Sequence, residues 1–386
     1  MARLLEPQDK SRQTEHTDVA ATAEPRPAAK RRGGLAGRRF SRGALALAAL
    51  VAALFAAIVV GGAVGAVTIP PLHSLQILLN ATHLTHFTPS WPDTEEVILL
   101  QVRLPRVAGA ALVGAALGCA GTLFQGLLRN PLADPLLLGT SAGAALGATV
   151  AFLFPISFAM QWLGFSLIAV LAFAGALGAV VLVYLLATRR GRTPVVTLLL
   201  AGVVVNAIST AIQTLLITLH NQRGNQLISL FTWLSGTVDV REWAQLQVVG
   251  LLVVLGVLGA LLLSPALDAF AVGEEMAGHL GLRVERAKLL IVAAASLLVA
   301  AAVSISGLVG FVGLVAPHVC RLTLGPRHRL LVPASALAGA IFVVLADTLA
   351  RTVIAPTELP LGVVTALVGG PFFLWLLRSA GERYEW

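Results

Sequence analysis

Apolar residues along this chain come in long blocks, not in the alternation of a half-buried strand. The first block is Ala44–Val67, which at ~1.5 Å per residue reaches about 36 Å as a helix and spans a hydrocarbon core of ~30 Å. Further blocks run over Val102–Leu128, Leu136–Phe154, Trp162–Ala187, Val195–Leu219, Trp243–Leu263, Leu289–Ser306, Phe311–Leu324, Leu330–Thr352 and Leu361–Leu377. The eighth is short and interrupted by Pro317. Backbone donors and acceptors must pair internally in lipid, so each block is expected to be a helix. The pattern therefore predicts an all-α membrane protein of about ten transmembrane helices. A signal peptide has an apolar core of only ~7–15 residues, so the first block is read as a retained span.

The polar segments between the blocks organise the chain. Residues 1–43 are rich in Ala, Pro, Arg and Glu without hydrophobic periodicity and read as a disordered basic tail. Residues 44–378 form the ten-helix domain, and 379–386 form a short C-terminal tail. The longest polar connection on the tail side is 265–288. With the tail inside, only Arg103, Arg106, Arg223, Arg241 and Arg351 of the 27 basic residues fall outside, which predicts cytoplasmic N- and C-termini.

Composition agrees with this reading and removes other classes. Charged residues are 12% and hydrophobic residues 57%, against ~25% charged in an ordinary soluble domain. The net charge of +8 lies in the tail and in short connections, which marks topology and not a nucleic-acid surface. Cys119 and Cys320 each lie in an apolar block far from the other and read as packing residues. Gly114 and Gly118, then Gly139, Gly143 and Gly147, recur every four residues and predict close helix approach.

No stretch fits a phosphate-binding loop, a nucleophile elbow or a His-Glu-x-x-His zinc site, and the lysines are only Lys10, Lys30 and Lys288. The chain is thus not expected to hydrolyse ATP, to be an enzyme or to hold a metal. Asp347 is the one acid well inside a block, with Arg351 four residues on, a spacing that allows a local ion pair. A proton relay at Asp347, as in an ion- or proton-coupled secondary transporter, is the alternative. His73, His83 and His86 share the first outer loop with Asp93, Glu95 and Glu96 and read as surface residues, with a cargo ligand as the other reading. His318 beside Pro317 reads as a packed polar residue.

Four segments together resemble one family. They are Arg103-Leu104-Pro105-Arg106 running through Arg129-Asn130-Pro131-Leu132-Ala133-Asp134-Pro135 to Gly139-Thr140-Ser141; Leu198-Leu199-Leu200-Ala201-Gly202; Gly273-Glu274-Glu275-Met276-Ala277-Gly278-His279-Leu280-Gly281; and Gly310-Phe311-Val312-Gly313 through Ala346-Asp347 and Glu358-Leu359-Pro360 to Gly370-Pro371-Phe372. From Ala44 to Arg378 the chain looks like the type II, FecCD-like permeases that import ferric siderophores, haem and vitamin B12. The resemblance implies a homodimeric permease in the bacterial cytoplasmic (inner) membrane. It also implies two ATPase subunits docked inside, carrying ATP and magnesium, and a substrate-binding protein outside. This chain itself would bind no cofactor. Ferric siderophore ranks first as cargo, then haem, then cobalamin.

Site residues follow by the same likeness. Gly273, Glu274, Glu275, Ala277 and Gly281 match the segment that couples to the ATPase; an ordinary loop helix is the plain alternative. Arg103, Arg106 and Arg351 match the arginines that dock the binding protein, against a local role for Arg351 beside Asp347 and a lipid anchor for the other two. Asn206, Ser209, Thr210, Gln213 and Thr214 share one face of a helix and either line the pathway or join packed helices. Asn130 and Leu132, with Val195 and Val196, match the inner gate. The two valines depart from the small hydroxyl residues of the vitamin B12 permease and make that gate more apolar.

Overall fold

In a computed structural model the described residues are 33–65, 67–81, 87–154, 165–220, 224–240 and 242–381, and their regular elements are helical. In chain order these are α1 (Gly33–Ala63), α2 (Pro71–Ala81), α3 (Asp93–Val97), a π-helical segment (Ile98–Arg103), α4 (Leu104–Leu128), a 3-10 turn (Pro135–Leu138) and α5 (Thr140–Leu153). There follow α6 (Leu167–Ala187), α7 (Val195–Leu219), α8 (Gly224–Leu234), α9 (Trp243–Phe270), α10 (Glu274–His279), α11 (Val284–Ser306), α12 (Val312–Leu324), α13 (His328–Thr352) and α14 (Leu361–Gly381). Among the described residues seven helical stretches are long and apolar enough to cross a membrane. Three shorter apolar helices accompany them, Thr140–Leu153, Val312–Leu324 and Leu361–Leu376.

Helix α4 is the buried axis, and glycine makes it so. A Cβ at Gly114 would lie 2.1 Å from the Gly339 carbonyl oxygen on α13, one at Gly118 2.2 Å from that of Ser335, and one at Gly121 2.0 Å from that of Gly313 on α12. Only hydrogen fits there, so the backbones meet directly. Gly143 on α5 and Gly175 on α6 repeat the device, each blocked by the other's carbonyl at 2.3 and 2.2 Å. The four-residue spacing thus acts through close approach, with one exception. Gly139 sits at φ 92°, where it ends the 3-10 turn and opens α5.

Several boundaries correct the sequence reading. Helix α1 begins at Gly33, inside the segment expected to be tail. The segment expected to be the first outer loop carries α2 and α3, with Asp93, Glu95 and Glu96 at the N-terminus of α3, where the helix dipole favours acids. The short α2 escaped the block pattern because its buried side consists of Ser74 and Ile77 only. Helix α8 likewise occupies an expected outer connection. Helix α9 continues through Pro265 to Phe270, so the connection expected to start at 265 is shorter; a proline lacks only one donor, and lipid-embedded helices accommodate it. The third block loses its first turn to the 3-10 segment. His83, His86, Arg223, Arg241 and the expected helix start at Trp162 lie outside the described residues.

Candidate functional site

Gly126, near the C-terminal end of α4, packs against Leu267 of α9 and His328 of α13. Helix α10, which follows α9, therefore lies at the opposite end of the bundle from Arg103 and Arg106 at the start of α4. Both ends hold paired charged side chains.

At the α10 end, Gly273 takes φ 111° and starts the short helix with Glu274 and Glu275 in its first turn. Its C-terminus closes by paired bonds: Gly281 N–H donates to the Gly278 carbonyl at 2.9 Å and Leu282 N–H to the Ala277 carbonyl at 3.1 Å. That is the Schellman arrangement, and it needs the left-handed φ of 86° that Gly281 supplies. Ala277 is the buried foot of the helix, while Val272, Met276 and Leu280 are exposed apolar residues beside it. Glu274 is tied to Lys288 of α11, a pair absent from the sequence reading.

The turn after α4 is built by Asn130. Arg129 ends the helix in the left-handed region at φ 49°, and the Asn130 side-chain oxygen accepts the Leu132 N–H at 2.9 Å. Asp134 does the same for Leu136 at 2.8 Å; burial pushes its carboxyl above the usual range, and the Leu136 N–H partly offsets this. Gln125 joins this turn to α12, accepting from Arg321 at 3.0 Å and donating to the Gly313 carbonyl at 3.2 Å. Val195 and Val196 begin α7, with Val196 fully on the surface. Along α7, Ser209 is buried, Asn206 and Gln213 are half-buried, and Thr210 and Thr214 are exposed. The Thr214 hydroxyl donates to the Thr210 carbonyl at 2.9 Å.

At the other end, two guanidinium groups meet the end of α1, and a third, Arg106, shares Asp347 with one of them. Arg103 is 7% exposed and donates to the carbonyls of Gly62 at 2.8 Å, Ala63 at 3.0 Å and Val67. Arg351 is 9% exposed; it reaches the Gly61 carbonyl at 3.1 Å and pairs with Asp347 at 2.9 Å. These bonds satisfy carbonyls that a helix end leaves open. Arg106 holds Glu358 by a fork of 3.1 and 2.8 Å and reaches Asp347 at 3.1 Å. Its side chain is 23% exposed and that of Glu358 48%. Arg103 and Arg351 are thus buried against the chain's own backbone, while Arg106 keeps part of its surface.

The histidines divide. His73 bonds Glu95 at 2.9 Å beside Trp91. His318 packs edge-on to Phe372, its ring nitrogens buried without a hydrogen-bond partner. Among the described residues no group of three His, Cys, Asp or Glu is placed to hold a metal ion.

The chain as a whole is similar to known proteins. The chain is 43% identical over 292 residues to the cobalamin import system permease of Halobacterium salinarum, covering 76% of each chain. It is 40% identical over 305 residues to the hemin transport system permease of Yersinia pestis, covering 79% of this chain and 90% of that one. A solved inward-facing metal-chelate type ABC transporter superposes with a TM-score of 0.74 at 28% identity, over 86% of this chain and 98% of that one. Residues 47–379 match the model of the FecCD transport family, and the chain belongs to that family.

Proposed function

We propose that this chain is the permease subunit of an ATP-driven importer that moves a metal chelate inward across a bacterial cytoplasmic membrane. In this reading it works as a homodimer of ten spans per subunit with both termini inside, served by two ATPase subunits and an outer binding protein. The observation that carries it is α10. This short helix is closed at its C-terminus by the Schellman turn at Gly281, rooted by Ala277, and presents Met276 and Leu280 to the surface beside Glu275. A rigid apolar knob next to an acid fits a groove on a partner that delivers motion. Asn130, Leu132, Val195 and Val196 would gate the pathway, and the uncharged stripe of α7 would line it. Arg106, with its exposed fork, would meet the binding protein while Arg103 and Arg351 hold α1 behind it.

Relatives named for cobalamin and for hemin match alike, so the ferric siderophore ranked first gains no precedence as cargo. The secondary-transporter alternative loses its proton group, because Asp347 is 1% exposed and engaged by Arg351 and Arg106. The test is uptake by proteoliposomes holding the permease with its ATPase and binding protein. Ferric hydroxamate, hemin and cobalamin would each be offered with and without internal ATP. ATP-dependent uptake of at least one is expected. Uptake that needs no ATPase and collapses with the proton gradient would overturn the reading.

A further inference from the structure

Lys288 is the only lysine after Lys30, and its ammonium is buried, at 4% side-chain exposure, on the second turn of α11. A buried ammonium is tolerated only when its three donors are met. Here they reach three different elements. Glu274 Oε2, on the first residue of α10, lies at 2.5 Å, and Glu285 Oε1 on α11 at 3.2 Å. The third acceptor is the Thr193 carbonyl, at 3.0 Å, in the turn between α6 and α7.

The turn is gripped a second time. The Thr193 N–H donates to the other oxygen of Glu285 at 2.9 Å, so Lys288 and Glu285 hold both faces of one residue. Thr193 itself is buried, and its hydroxyl shares a hydrogen bond with that of Thr188 at 3.0 Å. Reciprocal bonds between Arg189 and Arg192, at 3.0 and 3.1 Å, stiffen the same turn. Two residues after Thr193, α7 begins at Val195.

We propose that Lys288 is the positioning residue that joins α10 to the start of α7, so that a displacement of the coupling helix moves the gate end of α7 with it. This rests on the reading of α10 as the coupling helix. The ammonium suits the task because one nitrogen, in contact with two carboxylates and a carbonyl, leaves little slack among three elements. A planar guanidinium would not point at three such directions.

The test uses the full complex in proteoliposomes and two readouts. Spin labels at the exposed positions His279 on α10 and Leu200 near the start of α7 report the distance between the two helices. In the otherwise parental permease that distance should stay constant, within label width, when a non-hydrolysable ATP analogue is added. In Lys288→Met, which keeps the stem and removes the donors, it should broaden or shift. The second readout is ATP hydrolysed per molecule of hemin or cobalamin taken up, expected to rise at least tenfold in Lys288→Met. A merely structural lysine would lower hydrolysis and uptake together and leave that ratio unchanged, which overturns the proposal, as does an unchanged label distance.

If Lys288→Met fails to assemble, Glu274→Gln carries the test, since the lysine then keeps Glu285 and Thr193. A raised ratio supports the link, and a parental ratio in an assembled complex refutes it. Failure of the coupling reading looks different. Met276→Glu, on the exposed face of α10, would then leave co-purification of the ATPase intact.

Discussion

Replacing Asp347 by Asn separates a structural carboxylate from a proton relay. Asp347 lies one turn before Arg351 on α13 and is 1% exposed. Removing one partner of a buried ion pair costs roughly 3–5 kcal/mol, because the remaining charge is left uncompensated. Here the loss is unequally shared. Arg106 keeps both oxygens of Glu358 and part of its surface, so it loses little. Arg351 loses its carboxylate partner but keeps the Gly61 carbonyl, and the Asn amide oxygen still accepts one bond. The expected destabilisation is therefore near the lower limit, ~3 kcal/mol, or roughly 6 °C at ~2 °C per kcal/mol for a unit of this size. Monodispersity after heating in detergent measures it. Uptake per folded transporter should stay within about twofold, since no proton passes through the carboxylate. Pairing Asp347→Leu with Arg351→Met should cost less than the sum of the two, as expected for directly coupled groups. Unchanged thermal stability together with lost uptake would refute the argument and return Asp347 to a proton role.

Other outcomes follow from the same geometry. The purified chain, freed of every other subunit, should hydrolyse no ATP above a buffer blank, as expected of a FecCD-family permease. Gly281→Ala places a side chain at φ 86° in open space, so it should cost roughly 1 kcal/mol locally and lower uptake with little change in monodispersity. Gly114→Leu drives a side chain into the Gly339 carbonyl at the centre of the bundle, which backbone cannot evade; loss of the folded peak in size-exclusion chromatography is expected.

The parts of this fold legible in the sequence were those where lipid imposes the pattern. Val195–Leu219 matches α7 at both ends because a proline precedes it and polar residues follow. Elements that depend on contact partners were hidden. Helices α2 and α8 are short and half-polar, and they exist because Ile77, Trp91 and Leu230 find buried sites. The end of α9 was misplaced because Pro265 is a stop signal only where its freed carbonyl has no other remedy. At the sites, the four-residue glycine spacing and the Asp347–Arg351 spacing act within or between neighbouring turns and could be read directly. The grip of Lys288 on Thr193 joins residues 95 positions apart, and the Arg106–Glu358 fork joins residues 252 apart. No periodicity encodes such pairs, though a single lysine near a cluster of acids was a signal that could have been followed.

The arginines expected outside run against the inside bias of basic residues, and the end of α1 explains two of them. Helix α1 has no basic residue in its last turn, so its terminal carbonyls are met from elsewhere, by Arg103 and Arg351. Charge reversal at either would strip the helix end and report on folding, not on docking. Arg106 is the informative position, and Glu358 is its internal competitor. A partner carboxylate approaching this surface must displace or share a fork that is already closed, so docking there measures the difference between two carboxylates. Exposed pairs contribute only ~0.2–1 kcal/mol, and the difference should be of that order and should shrink as salt rises. Glu358→Gln, which keeps the shape and removes the competitor's charge, should therefore tighten capture of the loaded binding protein by about twofold to fivefold at low salt. Arg106→Gln should weaken it and flatten the salt dependence, with Asp347 still held by Arg351. Surface-captured permease and a titration of binding protein at two ionic strengths decide the matter. Equal affinities for both variants and the parent would place docking on another surface and leave the Arg106 fork as a brace between α4 and the segment after α13.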